Sequence, residues 1–568
     1  MAATLRLNYM SYHTPSWWKE ATAYQVYPRS FNDSNGDGIG DLAGITEKLD
    51  YLGELGIDLL WISPVYQSPN ADNGYDISDY REIMDEFGTM GDMTELIRAA
   101  HGRGIRIVMD LVVNHTSDKH AWFRSSRSNP EGPYGDYYIW ADGRDGGPPN
   151  NWLSAFGGEA WSFDERRGQY YLHIYTPNQP DLNWDNPRLR ADIYAMMRFW
   201  LERGVDGFRM DVINQISKPP ALPDDTDPAP GTRPGFRFYT NGPNVHSYIR
   251  EMNAEVLSHY DIVTIGEMHA TGTEEALRYV APGRNELDMI FHFEHMLLDA
   301  GPGGKWDVRP IDLDELKRVF TRWQQALHGR GWNSLFLNNH DYPRMVSRFG
   351  DDGEYRVQSA KLLAGVTYLM QGTPFLFQGE EIGMTNARFE TIESYRDVET
   401  LNYYEEQRAA GVTKTEIMRR IHLASRDNAR TPFQWNGEPG AGFTTGTPWI
   451  PLNDNYRSIN LAAQWDEPDS VVSFYRRLIR LRKESAAALY GDFQVVEEAA
   501  SPLFVYRRET EDEMLTVVAN LSSTEHAAPP ETGRGTLALS NYADGSPNIT
   551  ALRPWELVVL TGAPAPLR

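Results

Sequence analysis

Ile105-Arg106-Ile107-Val108-Met109-Asp110-Leu111-Val112-Val113 is apolar at almost every position. A strand with one face in water alternates polar and apolar residues; this one must be covered on both faces. Ala23-Tyr24-Gln25-Val26-Tyr27-Pro28 and Ile57-Asp58-Leu59-Leu60-Trp61-Ile62 are of the same kind. Helical stripes separate them: Ile45, Leu49, Leu52 and Leu55 after the first, and Met93 to His101 before Ile105. Strand, helix, strand with buried strands means parallel βα units.

The alternation continues. Leu189, Ile193, Met196, Met197 and Trp200 mark a helix before the strand Gly204 to Ile213. Val245, Ile249, Met252 and Val256 mark another before Asp261 to Glu267. Further strands fall near 287–292, 334–338 and 374–378. Eight such units predict an α/β fold of the (β/α)8 TIM-barrel type. Two stretches break the rhythm. From Asn114 to about Asn186 the chain is rich in Trp, Tyr, Gly, Pro and Asn with little helical period, which predicts an insertion domain after strand three. From 491 on, short alternating runs such as Leu515-Thr516-Val517-Val518-Ala519 predict a C-terminal antiparallel β-sandwich. The predicted organisation is a barrel over 1–115 and 187–490, an insertion over 116–186, and a β domain over 491–568. Residues 214–243 read as a Pro- and Asp-rich loop.

A formal charge of −25 disfavours nucleic acid and anionic membrane as partners and favours a neutral substrate. No apolar run is long enough to span a bilayer; Leu362 to Phe377 is interrupted by Gly365, Gln371, Gly372 and Pro374. Met1 to Trp18 lacks the apolar core of a signal peptide. There is no cysteine, so thiolate metal sites are excluded. Together these point to the cytoplasm of a microbe. Aromatics reach 12% with 16 Trp, which suits either a large core or stacking platforms for sugar rings.

Asp33-Ser34-Asn35-Gly36-Asp37-Gly38-Ile39-Gly40-Asp41 places oxygen donors at alternating positions between glycines. That is the pattern of a calcium loop without the twelfth-position glutamate of an EF-hand. The expected ligands are Asp33, Asn35, Asp37, Asp41 and the Ile39 carbonyl. The ion would be structural, calcium first and magnesium second; the alternative is an Asx-rich turn without metal.

Acids gather where barrel strands end, the face on which barrel enzymes build their sites. The endings are Asp110…Asn114-His115, Arg209-Met210-Asp211, Gly266-Glu267 and Asn338-Asn339-His340-Asp341. Strand alternation puts Arg209 and Asp211 on one face, where the guanidinium favours an ionised carboxylate. Alone, that stretch fits a structural ion pair as well as a covalent glycosyl-transfer nucleophile. Glu267 has no cation beside it in sequence and suits the protonated acid.

This arrangement resembles glycoside hydrolase family 13, the α-amylase superfamily, over nearly the whole chain. The likeness is closer to its oligo-1,6-glucosidase and α-glucosidase branch. It rests on Asp72-Asn73-Gly74-Tyr75-Asp76-Ile77, Gln179 to Trp184, Gln378 to Gly383 and Arg426 to Pro432. The resemblance implies a retaining, exo-acting α-glucosidase working through a covalent glucosyl-enzyme, with Asp211 as nucleophile and Glu267 as acid and then base. Asp341 would hold the 2- and 3-hydroxyls, and Arg209 would keep Asp211 ionised. His115 and His340 would donate to glucose hydroxyls, and Tyr75 would stack on the ring. Asp72 and Arg426 would pair at the pocket floor and bind the non-reducing end; Phe156, Tyr175 and Gln179 complete the substrate contacts. The calcium-like loop also matches one this branch carries.

Val212 follows the nucleophile, as in relatives that act on α-1,6 links, where α-1,4 enzymes tend to have threonine. His269 stands where the branch usually has proline, and Tyr175 where many relatives have phenylalanine. Val212 and His269 are therefore the expected specificity residues. The implied substrate is a short neutral oligosaccharide, and the implied assembly a monomer or homodimer. Three alternatives share the scaffold. An α-1,4- or sucrose-preferring glucosidase or transglucosylase is one. A sucrose isomerase is disfavoured, because His295-Met296-Leu297-Leu298-Asp299-Ala300 does not resemble the isomerases' Arg-Leu-Asp-Arg-Asp. A non-catalytic interaction protein is disfavoured by the retained acids.

Overall fold

The computed structural model describes residues 16–229, 231–497, 502–529, 532 and 535–564. Most of the reading of Met1 to Trp18, and the outermost ends of the first and last predicted domains, lie outside the described residues. Eight parallel strands form one sheet. They are β1 (Ala23–Val26), β2 (Leu59–Ile62), β3 (Arg106–Val112), β4 (Gly207–Asp211), β5 (Val263–Met268), β6 (Met289–His292), β7 (Ser334–Leu335) and β8 (Thr373–Phe377). Their order is β6-β5-β4-β3-β2-β1-β8-β7, and a parallel bridge between Ile290 and Asn333 closes the ring. The predicted barrel is present.

Local chemistry sets its elements. The helix Met90–His101 starts on a reciprocal Thr89–Asp92 capping box and buries Met93, Leu96, Ile97 and Ala100. Pro187–Leu201 starts on Asn186 with proline in its first turn and buries the expected stripe of Leu189, Ile193, Met196, Met197 and Trp200. Gly207 is required where β4 meets β5: a Cβ there would lie 2.1 Å from the Val263 carbonyl oxygen. Beneath the acids the barrel is filled by Trp61, Phe291, Phe336 and Phe375, ring against ring.

The insertion is a three-stranded antiparallel sheet (Trp140–Ala141, Gln169–Leu172, Trp161–Asp164) with a helix, Ala121–Ser128, that its composition did not announce. Its core of Trp152, Trp161, Leu172 and Ile174 also contains Tyr239, with Leu222, Phe236 and Phe238 packed against it. The stretch 214–243 is largely loop, as expected, apart from the short helix Phe236–Tyr239, and its aromatics are packed into that layer.

After β8 the chain makes a further excursion. Helices Val398–Ala409 and Lys414–Ala424 enclose a small core with Tyr395, Tyr403, Ile417 and Ile421. Trp306, on the hairpin Ala300–Gly301/Gly304–Val308, stacks on Tyr403 at 4.1 Å. The C-terminal domain is a five-stranded antiparallel sheet, with a two-stranded pair, His526–Ala527 and Ala551–Leu552, that adds Leu552 to one face. Its other face docks on the helix Arg356–Tyr368, where Tyr506 donates to the Val366 carbonyl at 2.7 Å. Among the described residues no helix is long and apolar enough to cross a membrane.

Candidate active site

Register brings the acids together. Asp110 of β3 pairs with Arg209 of β4, and Ile265 of β5 pairs with Arg209 on the other side. The Arg209 guanidinium, 1% exposed, lies 5.0 Å from the Trp61 ring. Its Nη1 donates to Asp110 and Asp211, both at 2.6 Å, and its Nη2 lies 2.7 Å from Glu267. This corrects the sequence expectation that only Asp211 has a cation beside it. Sequence spacing sees along one strand; the third contact crosses to the next.

Three carboxyls around one guanidinium cannot all be ionised cheaply. Burial pushes Asp110 up to about 6, against the pull of Arg209. Burial also pushes Asp211 well above the usual carboxylate range; Arg209 opposes this, while Glu267 and Asp110 add to it. Arg209 thus does not by itself hold Asp211 low, as expected from the sequence. Asp110 and Asp211 are thus both pushed toward their protonated forms.

Val212 ends β4 with φ 37° and ψ 41°, a left-handed conformation that costs a β-branched residue on the order of 1–3 kcal/mol. The turn aims its N–H at Glu267 Oε2, 3.0 Å away. Nothing in the sequence signals this backbone contact.

Across the pocket the charges balance differently. Asp341 Oδ1 accepts from Arg430 at 2.9 Å and Arg426 at 3.2 Å, and its Oδ2 lies 3.1 Å from His340 Nε2. Burial pushes this carboxyl up, but His340 and the surrounding arginines together hold it well below the usual range. Arg426 also donates to Asp72 at 3.1 Å, which is the expected floor pair. A closer partner is Asp397, at 2.8 Å from Arg426 Nε. Burial opposes ionisation of Asp397 too, yet Arg426 and Arg430 hold it well below the usual range.

The walls are neutral and aromatic. Gln179 Nε2 donates to Asp72 at 3.0 Å and lies 3.2 Å from His115 Nε2. Burial and Lys218 push His115 down to about 3, so it is uncharged near neutrality. Lys218 itself lies 2.6 Å from Asp181 and 2.7 Å from Asn114, tying the insertion to the barrel. Tyr75 stacks on His340 at 5.2 Å and donates to Asp110 at 3.1 Å. Tyr175 packs against Phe156 and His115 and donates to Gln215 at 2.7 Å. His269 stacks on Phe293 at 5.0 Å, with its Nε2 3.9 Å from Glu267.

A cavity of about 250 Å³ joins these groups. Every sequence-predicted catalytic, substrate and specificity residue lines it except Arg209 and His340, which lie behind its wall. His340 lies stacked behind Tyr75 and beside Asp341. Lys305, Glu399, Phe293, Leu297 and Tyr342 also line the cavity and were missed, as was Asp397 behind Arg426. Only the motif Arg426 to Pro432 carried any signal of this side, through Arg430.

The loop Asp33 to Asp41 is curled as expected. Asp33 accepts from the N–H groups of Asn35, Gly36 and Gly38, and Asp37 accepts from Ile39. Asp41 is turned to Ser34 and to Gly44, capping the helix Leu42–Glu47. Gly38 (φ +95°) lies against the 443–449 segment, where a Cβ would fall 1.8 Å from the Thr447 carbonyl oxygen. Among the described residues no three His, Asp or Glu side chains converge as a metal cage. The carboxylates alone do not fit an ion; the Asn35 amide and the Ile39 carbonyl would have to complete the set.

Residues 25–491 match the family described as alpha amylase, catalytic domain. The chain is 56% identical over 550 residues to the oligo-1,6-glucosidase of Parageobacillus thermoglucosidasius, covering 95% of this chain and 98% of the relative. Among solved structures, Bacillus licheniformis trehalose-6-phosphate hydrolase matches with a TM-score of 0.93 and 48% identity, over 97% of this chain and all of that one. Isomaltulose synthase of Erwinia rhapontici matches with a TM-score of 0.93 and 44% identity over the same shares.

Proposed function

The chain belongs to the α-amylase family of glycoside hydrolases, and from that premise we propose that it is a retaining, exo-acting α-glucosidase that prefers α-1,6 links in short oligosaccharides. The observation that carries this is the placement of Asp211 and Glu267 on the two ends of one guanidinium, in one small pocket with Asp341. Two carboxyls held by one group suit the separation of about 5–5.5 Å that retention needs.

The reaction itself requires Asp211 as a carboxylate and a proton on Glu267. Asp211 attacks the anomeric carbon while Glu267 gives its proton to the departing glycosidic oxygen. The resulting ester removes the charge of Asp211. Arg209, still 2.7 Å from Glu267, then favours that residue as a carboxylate, ready to take a proton from the attacking water. Asp341, kept ionised by its arginines, faces the developing oxocarbenium charge and holds sugar hydroxyls. The Asp72–Arg426–Asp397 floor supports exo action on short chains. The pocket's acidic lining and the chain's net charge of −25 suit an uncharged sugar better than an anionic one.

The experiment is NMR of early product on isomaltose and maltose. The α-anomer of glucose and a higher kcat/KM on isomaltose are expected; the β-anomer would refute retention, and a clear maltose preference would refute the linkage. We propose calcium, with magnesium second, as a structural ion at Asp33, Asn35, Asp37, Ile39 and Asp41, supported by the alternating oxygen donors. The cytoplasm and a monomer or homodimer complete this reading.

A further inference from the structure

Lys305 and Glu399 form an ion pair at the cavity's rim, and neither belongs to the barrel. Lys305 is on the hairpin Gly304–Val308, with its ammonium 5.1 Å from the ring of Trp306, which anchors that hairpin on Tyr403. Glu399 sits in the first turn of the helix Val398–Ala409, capped by Asp397. Asp397 is the residue that grips Arg426 at the floor. The pair therefore spans the mouth between two elements, one of them tied to the substrate floor. The Lys305 side chain is 30% exposed and the Glu399 side chain 12%.

The charge around the cavity gives this pair a consequence. Asp72, Asp211, Glu267, Asp341 and Glu399 line it, against the cations Lys305 and Arg426. Arg426 is committed to Asp72, Asp341 and Asp397, and its Nε also lies 3.6 Å from Glu399. His269 faces Glu267. Lys305 is the one lysine of the lining, and Glu399 answers it. An anionic leaving sugar entering this mouth meets cations that are already paired and carboxylates that repel it.

We propose that the Lys305–Glu399 pair is a specificity device that admits neutral leaving sugars and rejects phosphorylated ones. This rests on the α-glucosidase reading above and deepens it. The distinction matters within this scaffold, since a solved structure of the same fold at 48% identity is a trehalose-6-phosphate hydrolase. The pair performs the discrimination through charge, not shape: with Glu399 neutral, Lys305 would be free to meet a phosphate.

The probes are trehalose and trehalose 6-phosphate, which differ by the phosphate alone. Each is measured as a competitor of 4-nitrophenyl α-D-glucoside hydrolysis, so a constant is obtained whether or not it is cleaved. In wild type the neutral sugar should bind roughly tenfold or more tightly than its phosphate. Glu399→Gln should shrink that ratio by about tenfold, and Lys305→Gln should widen it, because the rim then loses its lysine while Glu399 keeps its charge. Equal or tighter binding of the phosphate by wild type overturns the proposal, as does a ratio unmoved by Glu399→Gln. If that variant does not fold, a narrowed ratio in Lys305→Gln overturns it alone. Release of 4-nitrophenol by wild type keeps the two readings apart: its absence refutes the glucosidase, whereas its presence with an unmoved ratio refutes only the rim.

Discussion

Arg209 serves three carboxyls, whereas Arg426 and Arg430 together serve the acids of the pocket floor. The outcome is opposite. Around Arg209 burial wins, and Asp110 and Asp211 are pushed up. Around Arg426 and Arg430 the cations win for Asp341 and Asp397, which are held down. Asp72 shows where the balance tips within the floor. It receives one contact from Arg426 at 3.1 Å and an amide from Gln179, and burial pushes it up. Both clusters are buried, so the number of guanidinium contacts per carboxyl decides which groups keep a proton. One wall thus holds carboxyls pushed toward their protonated forms and the other a fixed negative charge.

The comparison can be broken most severely at its centre. Asp211→Ala should lower kcat by about 10⁴-fold or more, while Glu267→Gln should still form a glucosyl-enzyme from an activated fluoride. Mass spectrometry of the trapped ester reads the second outcome; no ester would reassign Glu267. Breaking the floor comes next. Arg426→Met strands Asp397 and Asp72, and should cost about 3–5 kcal/mol in urea unfolding. A loss under about 1 kcal/mol would mean that Arg430 alone satisfies the floor.

The loop at Asp33 to Asp41 is a third cluster, in which backbone N–H groups and hydroxyls answer the acids. If an ion completes it, saturating calcium should stabilise the fold by about 2.7 kcal/mol at a hundredfold excess over Kd. Unchanged melting after chelation, with no calcium or magnesium by elemental analysis, would leave the Asx-turn reading.

Asp110→Asn removes one negative charge beside Asp211. The Asp211 carboxyl should fall, so the acid limb of kcat/KM should move to lower pH by about one unit. Asp341 should not contribute to that limb. Its pKa is depressed, so its share of stability is present above the unfolded value near 3.9 and is lost only as pH falls through the folded one. An acid limb that moves in Arg430→Gln but not in Asp110→Asn would invert the assignment. The smallest effect is Val212→Thr, which should narrow the isomaltose-to-maltose ratio severalfold; a hydroxyl replaces a methyl at nearly equal volume. An unchanged ratio would pass the specificity role to His269.

The barrel was legible because its strands are apolar without alternation and its helices carry clear stripes. The acids were legible because each ends a strand. The Arg209–Glu267 contact was not, since it joins residues of adjacent strands far apart in sequence. Lys305 and Glu399 lie on a hairpin and a helix outside the barrel rhythm, packed through aromatics whose pairing no local pattern fixes. The strand pattern placed Val212 beside the pocket, but a left-handed φ leaves no mark in a valine codon.

That last feature bears on how such a site diverges. The turn at position 212 carries the backbone N–H that bonds Glu267, and it holds its β-branched side chain in a left-handed conformation. Valine and threonine are both β-branched and meet the cost of that conformation almost equally. Exchanging them should leave melting nearly unmoved while altering which bond is cut. That outcome would make position 212 one where selection on substrate is decoupled from selection on folding, one peptide unit from Asp211.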